Sequence, residues 1–262
     1  MNSFVEKGWG EILAHNDLDS FEALWNLEAD WFEPPNYRRG GWSGVSRITL
    51  SLPEGGSESL FLKRQENHMR KTWRHPVSRE PTFRSEARNL RLLNSRGIAA
   101  PHMVYYGERK TPEGWQVILA TRELKGYLPM DELIEKWHAE GWGKHRVQRQ
   151  RVIPQVAEVL RKLHHLRLVH NAMHAKHMFV QEQTGAACLI DMEKMRSRLT
   201  RRQAMLRDLE TFNRRTAHIS RTDRLRFLLH YMHKARLDDD VKACWRILVD
   251  RAEHKNAGRR GR

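Results

Sequence analysis

Cysteine is scarce in this 262-residue chain: Cys188 and Cys244 lie far apart and form no CxxC or zinc-knuckle pattern. That argues against a disulfide framework and leaves two ordinary reduced thiols. Long apolar runs are missing too. No stretch approaches the roughly 18 residues that a membrane-spanning helix needs. The first twenty residues carry Glu6, Glu11, Asp17 and Asp19 where a signal peptide would be continuously apolar. A cytoplasmic protein is expected. Internal repeats and long low-complexity segments are absent as well.

Acidic residues are outnumbered, 32 against 47 basic ones, for a formal net charge of +15. Such an excess implies an anionic partner, whether nucleic acid, anionic lipid headgroups, or a phosphorylated or acidic substrate. It is concentrated in two places. Arg196 to Arg226 holds ten Arg against Asp208, Glu210 and Asp223, and Arg251 to Arg262 holds five basic residues and one Glu. No helix-turn-helix, zinc-finger or RNA-binding signature accompanies the charge, which weighs against nucleic acid.

What is present is enough to fold. Hydrophobic residues make up 39% of the chain and nine are Trp, at a length that suits one large domain or two lobes sharing a cleft. Residues 1–35 read as a helical extension ending at Pro34-Pro35. Alternating apolar residues over Val45–Leu50, a Pro53-Glu54-Gly55-Gly56 turn and Leu60-Phe61-Leu62-Lys63 predict paired strands. A basic loop with Pro76 and Pro81 follows. Phe83, Ala87, Leu90 and Leu93 recur at helical spacing before Gly97. Met103–Tyr106 and Trp115–Ala120 read as two further strands. Beyond Gly126 the chain turns mostly helical, with a stripe of Val152, Val156, Val159 or Leu160, and Leu163, a short strand pair at Met178–Val180 and Cys188–Ile190, and helix from Gln203 to about Asp250. The order is a sheet-rich part, a short connector and a helical part, and a nucleotide can sit between two such lobes.

Candidate chemistry centres on residues 163–194. Leu163-His164-His165-Leu166-Arg167-Leu168-Val169-His170-Asn171-Ala172-Met173-His174-Ala175-Lys176-His177-Met178-Phe179-Val180 resembles a kinase catalytic loop. Leu189-Ile190-Asp191-Met192-Glu193-Lys194 stands where a metal-binding Asp motif would. Together these segments resemble the bacterial lipopolysaccharide kinases (the Kdo/heptose kinase, WaaP-type family), specifically their InaA-like branch, over about residues 36–215. The resemblance implies an α+β, bilobal protein-kinase-like fold. It would consist of residues 1–35 as the extension, a small antiparallel-sheet N-lobe with one helix over 36–124, a mainly helical C-lobe over 125–250, and a basic tail over 251–262.

It also implies an ATP- and Mg²⁺-dependent phosphotransferase acting on a sugar hydroxyl of the lipopolysaccharide inner core, at the cytoplasmic face of the inner membrane. Asp191 matches the metal carboxylate, which is the hard oxygen ligand that magnesium prefers. His177 stands at the second metal position, where kinases carry Asn. Lys63 resembles the strand lysine that steadies the α- and β-phosphates, and Glu86 its ion-pair partner. Gly41 and Gly44, in Gly40-Gly41-Trp42-Ser43-Gly44, would let backbone N–H groups approach phosphate, or simply form a hairpin turn. Glu123, in Ala120-Thr121-Arg122-Glu123-Leu124, falls in the connector whose backbone would meet adenine. Asp208 resembles the helical Asp that buttresses the catalytic loop.

One position departs from the pattern. Two residues after the loop His170, kinases place the Asp that orients the acceptor hydroxyl and takes its proton, and here that residue is Ala172. The loss of proton-transfer assistance typically costs about 10²–10⁴-fold. Three remedies are open. His174 or His170 serves as base, a carboxylate such as Glu193 moves in, or the protein is a pseudokinase that binds nucleotide without turning it over. A separate reading takes His170, His174 and His177 as zinc ligands, because their i, i+4, i+7 spacing would share one face of a helix.

Overall fold

The computed structural model describes residues 2–38, 40–72, 75–216 and 218–260. The chain forms two compact units, one of Met1–Arg96 with Pro101–Leu124 and one of Gly97–Ala100 with Lys125–Arg262.

In the first unit, exposed Arg47 and Thr49 alternate with buried Ile48 and Leu50, as the sequence pattern requires of a strand with one face covered. The elements in chain order are β1 (Asn2–Val5), α1 (Trp9–His15), α2 (Phe21–Asn26), β2 (Trp31–Arg38), β3 (Gly41–Ser51), β4 (Ser57–Glu66), β5 (Met69–Thr72), β6 (His75–Pro81), α3 (Thr82–Ser95), β7 (Met103–Thr111) and β8 (Gly114–Arg122). Six of the strands make one antiparallel sheet in the order β1-β7-β8-β4-β3-β2.

Residues 1–35 are not a helical extension. Their two short helices bury Trp9, Leu13, Phe21 and Leu24 with Leu18 against Ile48, Leu50, Leu60, Leu62, Val104 and Ile118 of the sheet. The segment is part of the core, and its two ends are strands of the sheet. Pro34 and Pro35 lie inside β2 rather than closing a helix. Proline, which cannot donate to a ladder, is tolerated there because β2 is an edge strand. The predicted basic loop over 66–82 is in fact a hairpin, β5 with β6; its residues 73 and 74 lie outside the described ones.

The second unit contains β9 (Leu128–Pro129), α4 (Met130–Glu140), α5 (Arg146–His165), β10 (Leu168–Val169), β11 (Met178–Val180), β12 (Ala187–Leu189), β13 (Arg196–Ser197), α6 (Arg201–Arg215), α7 (Arg221–Met232) and α8 (Asp239–Arg260). Val152, Val156, Leu160 and Leu163 bury one face of α5, as the helical stripe predicts. The predicted strand pair is β11 with β12, extended by β9. Helix α8 continues to Arg260, so the basic segment from Arg251 is helical where it is described, and residues 261 and 262 fall outside the described ones. The expected α+β composition, an antiparallel sheet unit with its helix and a mainly helical unit, is the one the chain adopts. Among the described residues no helix is long and apolar enough to cross a membrane.

Candidate active site

In the sheet unit, Lys63 occupies the middle of β4, paired with Val45 on one side and Leu119 on the other. Its Nζ reaches Oε1 of Glu86 on α3 at 2.6 Å, with the glutamate buried and the lysine mostly so. The predicted ion pair is thus formed. Gly41 and Gly44 both have packing reasons to be glycine. A Cβ on Gly41 would sit 2.0 Å from the backbone oxygen of Glu66, and one on Gly44 would sit 2.6 Å from the Trp31 ring. Arg122 is the last residue of β8, and the N–H of Glu123 donates to the Ser59 carbonyl at 2.9 Å. Both Glu123 carboxylate oxygens accept from Arg47 at 2.9 Å. That side chain is engaged by a cation that its sequence context gave no reason to suspect.

In the helical unit, the loop after β10 hangs on one buried carboxylate. Asp208, two turns into α6 and without exposed surface, accepts the backbone N–H of His170 at 2.6 Å and of Asn171 at 2.9 Å. It also accepts Nε2 of His164, at 3.2 Å, from the end of α5. Asn171 has φ 67°, which Asn tolerates better than most residues, and its side chain receives Arg207 Nε at 3.3 Å. The buttressing role expected of Asp208 is therefore visible in its bonds.

The three loop histidines differ in what they can do. His170 is fully buried and donates Nε2–H to the Ile190 carbonyl at 2.9 Å, while its Nδ1 faces the Ala172 N–H at 3.4 Å. Both nitrogens are engaged, so it has none left for a substrate proton. His177 donates Nδ1–H to the Ala172 carbonyl at 2.8 Å, because a carbonyl can only accept. Its Nε2 then carries the lone pair, 3.4 Å from Asp191 Oδ2. Burial outweighs the opposing pull of Asp191 and the Ala172 carbonyl, with smaller help from His170 and Lys176, and holds the His177 pKa below its usual value.

Half-buried His174 stands edge-on to His177, ring centroids 5.6 Å apart. Burial first, then the charges of His177, Arg215, Lys176 and His170, push its pKa down to about 4. Asp191 itself takes a left-handed backbone conformation, φ 59° and ψ 60°, just after β12, the kind of local strain that collects at functional positions. Its carboxylate and the His177 Nε2 are a convergent oxygen–nitrogen pair, and that pair fits a divalent cation. Two ligands leave the remaining positions for water and phosphate, as is usual for magnesium in nucleotide sites.

The zinc reading fails on geometry. His170 and His174 lie in the loop and His177 ends a 3-10 turn, so they do not share a helical face. Among the described residues no three His, Cys, Asp or Glu are placed to hold a metal ion. Two features were not foreseen. One is Tyr231 on α7, whose hydroxyl meets His164 Nδ1 at 2.9 Å across 67 residues of sequence; no local pattern signals it. The other is a cavity of about 480 Å³ among the helices, lined by Ile134, Trp137, Phe212, Phe227 and Trp245 with Arg224 in its wall. Arg224 spends its donors on the carbonyls of Asn213, Thr216 and Ile219, and burial lowers its pKa.

Comparison with known proteins places these features in a family. The family model for the lipopolysaccharide kinase (Kdo/WaaP) family matches residues 22–231. Protein InaA of Escherichia coli (strain K12) is 31% identical over 213 residues, which cover 78% of this chain and 92% of that protein. Among solved structures, WaaP in complex with acyl carrier protein superposes with a TM-score of 0.68 at 20% identity, over 97% of this chain and 98% of that one. That likeness establishes the fold as the kinase-like one of WaaP. The chain belongs to the lipopolysaccharide kinase (Kdo/WaaP) family.

Proposed function

We propose that this protein is an ATP-dependent phosphotransferase acting on a sugar hydroxyl of the lipopolysaccharide inner core, with a divalent cation at Asp191 and His177. The carrying observation is the convergence of Asp191 Oδ2 and His177 Nε2 at 3.4 Å on a loop pinned by Asp208. Family membership supports the reaction class and the lipopolysaccharide substrate. A bound cation supplies neutralisation of phosphate charge, which is most of what phosphoryl transfer asks of a protein. Lys63, held by Glu86, steadies the α- and β-phosphates.

His174 is the base that takes the acceptor hydroxyl's proton as its oxygen attacks the γ-phosphorus and the bond to ADP breaks. His170 has no free nitrogen, Ala172 has only a methyl group, and the His174 imidazole is neutral and partly open. Burial and the neighbouring cations hold its pKa down to about 4, so it keeps a lone pair for the proton. The ten arginines between Arg196 and Arg226 favour an acceptor set in an anionic membrane face, with the protein peripheral on the cytoplasmic side of the inner membrane. Purified protein should transfer labelled γ-phosphate from ATP to core lipopolysaccharide, and the transfer should vanish in Asp191→Ala. ATP binding without any transfer would overturn the reading.

The buried methyl group of Ala172 favours a second reading, a nucleotide-binding pseudokinase. In that case Ala172→Asp creates activity where the natural protein has none. For partners, the likeness in fold to WaaP, whose solved structure is a complex with acyl carrier protein, supports extending that association to this chain.

A further inference from the structure

The loop that the proposed reaction depends on is held by Asp208, and Asp208 is itself oriented by a chain of contacts that ends on α7. A carboxylate only accepts, so the 3.2 Å contact between His164 Nε2 and Asp208 Oδ2 puts the imidazole proton on Nε2. Nδ1 of the same ring, 2.9 Å from the Tyr231 hydroxyl, is then the acceptor and the phenol is the donor. His164, Asp208 and Tyr231 are all at most 1% exposed, so no water competes for these bonds. The carboxylate, which only accepts, sets the tautomer, and the phenol, which can donate or accept, holds the other side of the ring.

We infer that Tyr231 is a positioning residue: its hydroxyl anchors the His164 ring at Nδ1, so that the Nε2–H that Asp208 selects stays aimed at that carboxylate and holds it in register with the His170 and Asn171 amides. Tyr231 touches neither end of the reaction. It acts through two intermediates on the loop that carries Ala172, His174 and His177. Without the phenol hydroxyl, the His164 ring keeps its proton on Nε2 but loses the anchor on its other nitrogen. The ring is then free to tilt, and Asp208 loses the alignment of one of the three donors that aim it.

The inference takes the kinase-type reading of the loop as its setting, but its test does not measure phosphotransfer, so the two can fail separately. In the full chain, amide hydrogen exchange is compared between the natural protein and Tyr231→Phe. The His170 and Asn171 amides should lose protection by about tenfold, the scale of one buried hydrogen bond, while the amides of α5 and α6 keep theirs. Unchanged loop amides, or an equal loss throughout the helical unit, would overturn the inference, since a merely structural tyrosine loosens everything together. A second measurement needs no variant. The ¹⁵N shifts of His164 in the natural protein should report a protonated Nε2 and an accepting Nδ1, and the opposite tautomer would refute the assignment even if Tyr231→Phe did not fold.

Discussion

Nε2 of His177 stands 3.4 Å from Oδ2 of Asp191, and with Nδ1–H committed to the Ala172 carbonyl both facing atoms offer lone pairs. On the proposed reading a divalent cation lies between them. Saturating ATP with a divalent metal should raise the unfolding midpoint by about 5–10 °C, given ~2.7 kcal/mol at a hundredfold excess over Kd. Asp191→Asn removes the charge and should abolish most of the rise. The nitrogen ligand should make Mn²⁺ at least as effective as Mg²⁺, because imidazole suits the softer ion. His177→Asn should tilt the preference back towards Mg²⁺. Thermal shifts across the two metals and three proteins check this; an undiminished rise in Asp191→Asn contradicts it.

Ala172 is buried, 7% exposed, on the same loop. Substituting Asp returns a carboxylate where kinases keep one, beside the His177 and His170 rings. With His174 already taking the proton, phosphotransfer to core lipopolysaccharide should change little in Ala172→Asp, while His174→Gln should lower it by about 10²-fold, the lower end of what a positioned base contributes. Single-turnover rates for the two variants and the natural protein decide it. A large rise in Ala172→Asp with no loss in His174→Gln would contradict the role of His174 and favour the pseudokinase reading.

His174 also gives a pH signature. Its folded-state pKa, about 4, lies below the ~6.5 of a free imidazole. As pH falls from above 6.5, the unfolded chain takes up the proton first, so this residue's contribution to stability is complete above about pH 6.5 and is lost progressively down to about pH 4. Urea midpoints should therefore fall across that window, and His174→Gln should flatten the fall. Activity that depends on neutral His174 should hold down to about pH 5 and drop as pH passes through about 4.

Much of this site was legible in the sequence because it is local. The spacing of His170, Ala172, His177 and Asp191 is fixed by one loop and one hairpin, and the Lys63–Glu86 pair by a strand followed by a helix. Asp208 was readable from its Arg-Asp-Leu context in a helix. What was not legible is long-range. The Tyr231 hydroxyl reaches His164 across 67 residues, and the Glu123 carboxylate meets Arg47 across 76. Residues 1–35 differ from the expected helical extension for a related reason: they do hold two short helices, but nothing local tells that the sheet takes both into its core or that the segment's ends are strands. Proline likewise carries no mark of whether it ends a helix or sits on an edge strand.

The two glycines at the start of β3 separate packing from phosphate binding. A methyl group on Gly41 would meet the Glu66 carbonyl oxygen at 2.0 Å and the Asn67 backbone at 2.4 Å. That backbone cannot yield easily, because Asn67 N–H donates to the Trp115 carbonyl at 2.9 Å and its side chain accepts the Trp115 N–H at 2.9 Å. On Gly44 the obstacle is the Trp31 ring at 2.6 Å, a side chain 37% exposed on an edge strand, which can swing outwards and give up its stacking under Arg64. Overpacking costs roughly 1–3 kcal/mol, so Gly41→Ala should lose about 3 kcal/mol in urea unfolding and Gly44→Ala about 1 kcal/mol. If Gly44 also lies against phosphate, its alanine variant should lose nucleotide affinity out of proportion to that small cost, measured as the ATP-dependent midpoint shift. Equal stability losses at the two positions would show that the Glu66–Asn67 backbone is softer than its hydrogen bonds imply.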